Sequence, residues 1–214
     1  EQRARLWKKG QVLPHILVMT ATPMPSTLAM TLYGDLDVSI IDQLPKGRKP
    51  IITVHRNEAN RALVIEVLKD EIAKGRQVYY VFPLIEDSPK LALQSLMSGY
   101  DMVCEYLPPP TYTYSLLHGR MKPAEKESEM HKFKSGKTQI MVATTVIEVG
   151  VNVPNASVMV IENTERFGLS QLHQLRGRVG RGAEQSYCIL MSGYPLSSNG
   201  KKRIQTMVRT TDGF

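Results

Sequence analysis

The chain has 214 residues, 42% of them apolar, with 27 Lys and Arg against 20 Asp and Glu, a formal charge of +7. No apolar run approaches the roughly 20 residues that a helical bilayer span needs, the charged opening Glu1-Gln2-Arg3-Ala4-Arg5 does not read as a signal peptide, and two cysteines, Cys104 and Cys188, are too few for a disulfide framework and suit a reducing cytoplasm. Residues 1–110 hold 13 basic and 12 acidic side chains and residues 111–214 hold 14 and 8, so the basic excess belongs to the second half and suggests a polyanionic partner. The chain opens without Met and stops at Asp212-Gly213-Phe214, which reads as a piece of something longer.

In chain order, short runs rich in Val, Ile and Tyr predict strands at residues 15–19, 38–41, 51–55, 77–82, 114–118, 139–143, 157–161 and 186–191. Stretches of helical period fall between them, at 25–33, 58–74, 91–106, 123–134, 170–176 and 200–209. Strand and helix in alternation predict an α/β fold with a mainly parallel sheet and helices on both faces. Gly75 and Gly136 stand where helices should stop, and Pro108-Pro109-Pro110 reads as a stiff surface connection. With no internal repeat and no strong linker between 51 and 191, one domain with flanking extensions is the economical organisation.

Two segments resemble nucleotide sites and fail on context. Gly136-Lys137-Thr138 has the tail of a phosphate-binding loop, but His131 stands where the earlier glycine belongs. It also follows a helix and precedes a strand, the reverse of the order that aims backbone amides at phosphate. It reads as a helix C-cap. Asp70-Glu71 lies inside a helical pattern, far from a strand end, and reads as a solvated helix face. The parts that hold ATP phosphates and Mg²⁺ are therefore expected on another domain.

Three constellations carry chemistry. In Gln171-Leu172-His173-Gln174-Leu175-Arg176-Gly177-Arg178-Val179-Gly180-Arg181, three arginines fall within six residues among glycines, which suits close approach of planar guanidinium forks to phosphate oxygens. Ala143-Thr144-Thr145-Val146-Ile147-Glu148-Val149-Gly150 puts two hydroxyls after an apolar strand, where open α/β sheets bind ligands. Leu117-His118-Gly119-Arg120 repeats that placement before a helix opened by Pro123. Thr20-Ala21-Thr22-Pro23 adds a weaker strand end. Together these sites are expected to line one edge of one sheet.

Thr20-Ala21-Thr22-Pro23, the run 143–151 and the run 174–181 resemble motifs III, V and VI of superfamily 2 helicases, in order and at suitable spacing. The run 40–48, the run Leu117-His118-Gly119-Arg120-Met121-Lys122-Pro123-Ala124-Glu125-Lys126 and the end Thr211-Asp212-Gly213-Phe214 are similar to the RecG family of bacterial ATP-dependent DNA helicases. Transcription-repair coupling factors share motifs III and VI and are the nearest alternative; a non-catalytic nucleic-acid-binding module is another.

The resemblance implies a RecA-like (P-loop NTPase-type) helicase C-terminal lobe spanning 15–195. The tail of an ATP-binding lobe would precede it at 1–14, and a helical translocation element would begin at 196–214. It implies that Arg178 and Arg181 reach the ATP γ-phosphate, that Gln174 holds the network beside them, and that Gly150 and Asn152 line the nucleotide side. Thr144, Thr145, His118, Gly119 and Arg120 would grip duplex phosphates, and Thr20 and Thr22 would couple the two sites. ATP and Mg²⁺ would be bound mainly by the other lobe. The implied partners are branched or forked double-stranded DNA and, within the same chain, an N-terminal RecA-like lobe and a wedge domain. The whole is expected to be a monomer in the bacterial cytoplasm, associated with the nucleoid and not with membrane. Ser26 stands where the family has arginine and Asn152 where it has aspartate, which removes a carboxylate from the nucleotide side.

Overall fold

In this computed structural model, residues 39, 47–84, 89–144, 153–193 and 195–210 are described, without the side chains of 89–92. The predicted strands at 15–19 and, Ser39 aside, 38–41 lie outside these residues, as do the helix at 25–33 and Thr20, Thr22, Ser26, Thr145, Gly150 and Asn152.

Among the described residues, six strands form one sheet: β1 (Ile52–Asn57), β2 (Gln77–Phe82), β3 (Tyr114–Leu117), β4 (Ile140–Thr144), β5 (Ala156–Ile161) and β6 (Tyr187–Ser192). Their order is β1-β6-β5-β2-β4-β3 and every neighbouring pair is parallel. A parallel strand is covered on both faces, so it reads as a continuous apolar run; β2, β4 and β5 are buried at every position.

Helices α1 (Arg61–Ala73) and α2 (Pro89–Tyr106) cover one face, where Ile65, Leu68, Leu96 and Val103 pack on Val78, Tyr80, Val142 and Val160. The other face meets α3 (Pro123–Lys134), α4 (Leu169–Arg176) and α5 (Ser198–Arg209), whose Phe133, Leu172, Leu175, Ile204 and Met207 pack on Tyr79, Val81, Met141 and Leu190. The expected two-faced α/β architecture is what the chain adopts.

Local signals explain most boundaries. Pro123 occupies the first turn of α3, and the Glu125 carboxylate accepts from the Lys122 amide at 2.9 Å. At the other end, Gly136 has φ +75° and Lys137 N donates to Lys132 O at 3.0 Å, a glycine-terminated C-cap as the sequence suggests. The predicted helix at 58–74 splits into a short 3₁₀ turn, Glu58–Asn60, and α1. A second 3₁₀ turn, Thr164–Arg166, has no periodic signal; Thr164 Oγ1 fixes it by donating to Ile161 O and Met191 O.

The reading of Asp70-Glu71 needs correcting at Glu71. Asp70 is exposed, but Glu71 is buried, accepting from Ser157 Oγ at 2.8 Å and pairing with Lys74.

Candidate nucleic-acid and nucleotide sites at opposite ends of one sheet

His118 and Thr144 come together as expected. Leu117 of β3 lies opposite Ala143 of β4, so the next residue on each strand stands at the carboxyl edge of the sheet beside its neighbour. Thr144 is 2% exposed, and its Oγ1 is buried with no hydrogen-bond partner. The Nδ1 of His118 is in the same condition. Each is a buried polar atom left unsatisfied, which is costly unless a ligand completes it.

The surroundings favour an anion. Gly119 and Arg120 are exposed in the turn after β3, which is held by Met121 N donating to His118 O at 3.2 Å and by Lys126 Nζ donating to Gly119 O at 3.1 Å. Burial, with the charges of Lys126 and Arg120, holds the His118 imidazole below its ordinary pKa despite Glu125. It is therefore neutral near pH 7, able to donate from one ring nitrogen.

The arginine segment lies elsewhere. Helix α4 begins after Gly168, whose amide donates to Gln171 Oε1 at 3.0 Å, and it buries Leu172 and Leu175 while Gln174 faces solvent. It runs antiparallel to the strands, so the loop that follows reaches the amino end of the sheet. Gly180, at φ +73°, lies against Ile51 just before β1, where a Cβ would stand 2.7 Å from Ile51 Cγ1. Gln185 Nε2 donates to Pro50 O at 2.7 Å, at the same end.

The arginine loop therefore does not share an edge with His118 and Thr144, contrary to the expectation of one common edge. Chain direction decides this: residues entering a parallel strand sit at its amino end, and 177–185 precede β6. A six-residue strand separates the two ends by roughly 17–20 Å.

At the amino end, Arg178 and Arg181 are half-buried, and Arg181 Nε donates to Gly177 O at 3.2 Å. Both charges reach the Tyr79 hydroxyl inside the sheet: burial pushes its pKa up to about 12, and Arg181 and Arg178 pull the other way. A pair of guanidinium groups on a glycine-flanked loop fits the phosphate end of a nucleotide. Among the described residues no group of three or more His, Cys, Asp or Glu is placed to hold a metal ion.

Arg176, the first of the three arginines, is buried where Arg178 and Arg181 are half-buried. It is 3% exposed; Nη1 donates to Met207 O at 3.0 Å and Thr210 O at 2.7 Å, and Nη2 lies 3.0 Å from His173 Nδ1. Sequence gave no means to separate it from Arg178. Also unforeseen is a buried cluster at the end of β5, where Glu162 pairs with Arg61 and accepts from Tyr80 Oη.

A wholly parallel sheet with helices on both faces, an arginine loop after a short helix and hydroxyl and imidazole groups at a strand edge define a RecA-like helicase C-terminal lobe. The family model "Helicase conserved C-terminal domain" matches residues 59–183, and the chain belongs to that family. It is 53% identical over 214 residues to the ATP-dependent DNA helicase RecG of Synechocystis sp., covering 100% of this chain and 25% of that protein. To the RecG of Escherichia coli strain K12 it is 52% identical over 217 residues, covering 100% and 31%. The chain thus spans between a quarter and a third of the curated relatives it matches. A solved structure of RecG bound to a three-way DNA junction superposes with TM-score 0.76 at 42% identity, covering 91% of this chain and 25% of that one. The yeast DEAD-box splicing factor Prp28 shares the fold at TM-score 0.60 and 20% identity over 91% of this chain and 41% of that one.

Proposed function

We propose that the chain is the second motor lobe of an ATP-dependent double-stranded DNA translocase that remodels stalled replication forks and branched recombination intermediates. The observation that carries this reading is the similarity to RecG helicases along the whole chain, joined to an arginine loop and an unsatisfied polar pair at opposite ends of one sheet.

In this reading the lobe occupies 15–195, with 1–14 and 196–214 as connections to a nucleotide-binding lobe and to a helical translocation element. Bound ATP supplies a phosphoanhydride whose cleavage drives closure and reopening of the two lobes, and the other lobe holds its Mg²⁺. The residues of this chain do three things. Arg178 and Arg181 neutralise charge on the γ-phosphate, an effect worth roughly 10³–10⁵ in rate for arginine fingers. Gln174, Gly150 and Asn152 shape the nucleotide side around them. His118, Gly119, Arg120, Thr144 and Thr145 hold the duplex backbone, and Thr20 and Thr22 transmit between the sites. Contacts to phosphate carry no sequence information, so binding depends on DNA structure and not on base order. The working unit is a monomer in the bacterial cytoplasm, at the nucleoid, acting on forked DNA beside its own wedge domain.

The test is reconstitution. The 214-residue piece alone hydrolyses no ATP, and adding a separately made P-loop lobe restores DNA-stimulated hydrolysis. Turnover by the piece alone contradicts the reading, as does failure of the paired lobes to hydrolyse ATP while both bind.

A further inference from the structure

Arg176 spends a buried charge away from both polyanion sites. It is the last residue of α4, and the two carbonyls it holds, Met207 O and Thr210 O, belong to the last turn and C-cap of α5. Such carbonyls lack partners within their own helix and carry the negative end of its dipole, so a cation there satisfies both needs. The His173 ring, one turn back in α4, takes the remaining amino group and fixes the plane of the fork.

The consequence falls on the next five residues. Gly177 N donates to His173 O at 3.0 Å, Arg178 N to Leu175 O at 3.0 Å and Val179 N to Arg176 O at 3.3 Å. The backbone carrying Arg178 is therefore a continuation of the α4 terminus, and Arg181 is tied back to it through Gly177 O. Wherever Arg176 is anchored, the loop follows. Helices α4 and α5 both run from the carboxyl edge of the sheet to its amino end, and the Arg176 fork joins their far ends.

We propose that Arg176 is a positioning residue, which braces the arginine loop against the end of α5 so that Arg178 and Arg181 meet the nucleotide in register. This rests on the reading that Arg181 contacts ATP. Misplacement of a catalytic group by about 1 Å costs up to about 10²-fold, so the brace should act on turnover and leave nucleotide and DNA affinity in place.

Three variants of the full-length protein decide this: Arg176→Met, Arg176→Lys and Arg181→Ala, each measured for ATP hydrolysis at saturating forked DNA, ATP KM, fork affinity and thermal midpoint. The expected result for Arg176→Met is a kcat at least about tenfold lower, with KM and fork affinity within about twofold of wild type. Arg176→Lys, which can reach one carbonyl at a time, should fall between. Wild-type kcat in folded Arg176→Met overturns the proposal, and so does a loss no larger than the loss of folded protein. Should Arg176→Met fail to fold, Arg176→Lys is decisive: lowered kcat at unchanged KM and an intact midpoint supports the brace, and wild-type kcat overturns it. If Arg181→Ala stops turnover while the Arg176 variants keep it, only the brace falls; if Arg181→Ala keeps wild-type turnover, the nucleotide reading falls with it.

Discussion

The hydroxyl of Tyr80 donates to Oε1 of Glu162 at 2.5 Å, and the Arg61 guanidinium closes on the same carboxylate from the start of α1. Tyr80 lies inside β2 and Glu162 directly follows β5, so the cluster fastens the exit of β5 to the helix layer on one face. From Glu162 the chain turns through Asn163, at φ 46° and ψ 49°, into the 3₁₀ turn and then α4. The left-handed conformation is uncommon for a residue other than glycine, and the cluster beside it holds the turn that leads to the arginine loop.

Breaking this cluster on one side should be costly. Glu162→Ala leaves the Arg61 charge buried without its carboxylate and should lower unfolding free energy by about 3–5 kcal/mol. Tyr80→Phe removes one donor and should cost about 1–3 kcal/mol. Urea unfolding followed by circular dichroism measures both; a Glu162→Ala loss below that of Tyr80→Phe would show that the charge pair is not the stabilising element.

Gly99 in α2 offers a test of packing against helix propensity. A Cβ there would stand 2.4 Å from Cε1 of Phe82, whose ring is buried and stacked on Tyr80 with centroids 5.3 Å apart. Exposed in a helix, Gly→Ala gains about 1 kcal/mol; here the ring has little room to yield, and overpacking costs about 1–3 kcal/mol. Gly99→Ala should therefore destabilise, and a raised thermal midpoint would contradict the packing described.

The unsatisfied hydroxyl of Thr144 separates stability from function. Thr144→Val keeps the shape and removes a buried polar atom without a partner, so stability should hold or rise, by up to about 1 kcal/mol. Fork affinity should fall by the same substitution, as should that of Arg120→Ala, which also lowers the slope of log affinity against log salt by about 0.9. Filter binding at several salt concentrations measures both, and unchanged affinity in the two variants would remove the carboxyl edge from the DNA interface.

Alkaline stability has a definite sign. Burial pushes the Cys188 thiol up to about 12, from an ordinary value of 9.0, and the Tyr79 hydroxyl up to about 12, from 10.0. Above pH 9 the unfolded chain loses these protons first, so stability is full below pH 9 and falls as pH rises towards 12. On the acid side, His55 and His118 are held below 6.5 chiefly by burial; the unfolded state takes up protons first, so stability falls as pH drops below about 6.5. Unfolding free energies across pH 5–11 give the profile. In native protein at pH 8, a thiol reagent should modify Cys104, which is partly exposed, and spare Cys188.

The sequence made the sheet legible because β2, β4 and β5 are apolar throughout, a signal that needs no knowledge of partners. Residues 77–82 were expected as a strand and are one. Helix ends carried by Pro123, Gly75 and Gly136 were equally readable. The position of the arginine loop was not, since it depends on which strand the loop enters and on the direction of that strand. Nor could the identical letters Arg176 and Arg178 disclose that one is buried against α5 and the other half-buried in the loop. Glu71 and Glu162 were hidden for the same reason: Ser157, Tyr80 and Arg61, which make their burial tolerable, are remote in the chain.

The most direct measurement of the central claim is the DNA-stimulated ATPase rate of the complete protein carrying Arg181→Ala. If the lobe completes a nucleotide site through its arginine loop, kcat falls about 10³-fold or more while forked DNA still binds. Wild-type turnover by folded Arg181→Ala would contradict it.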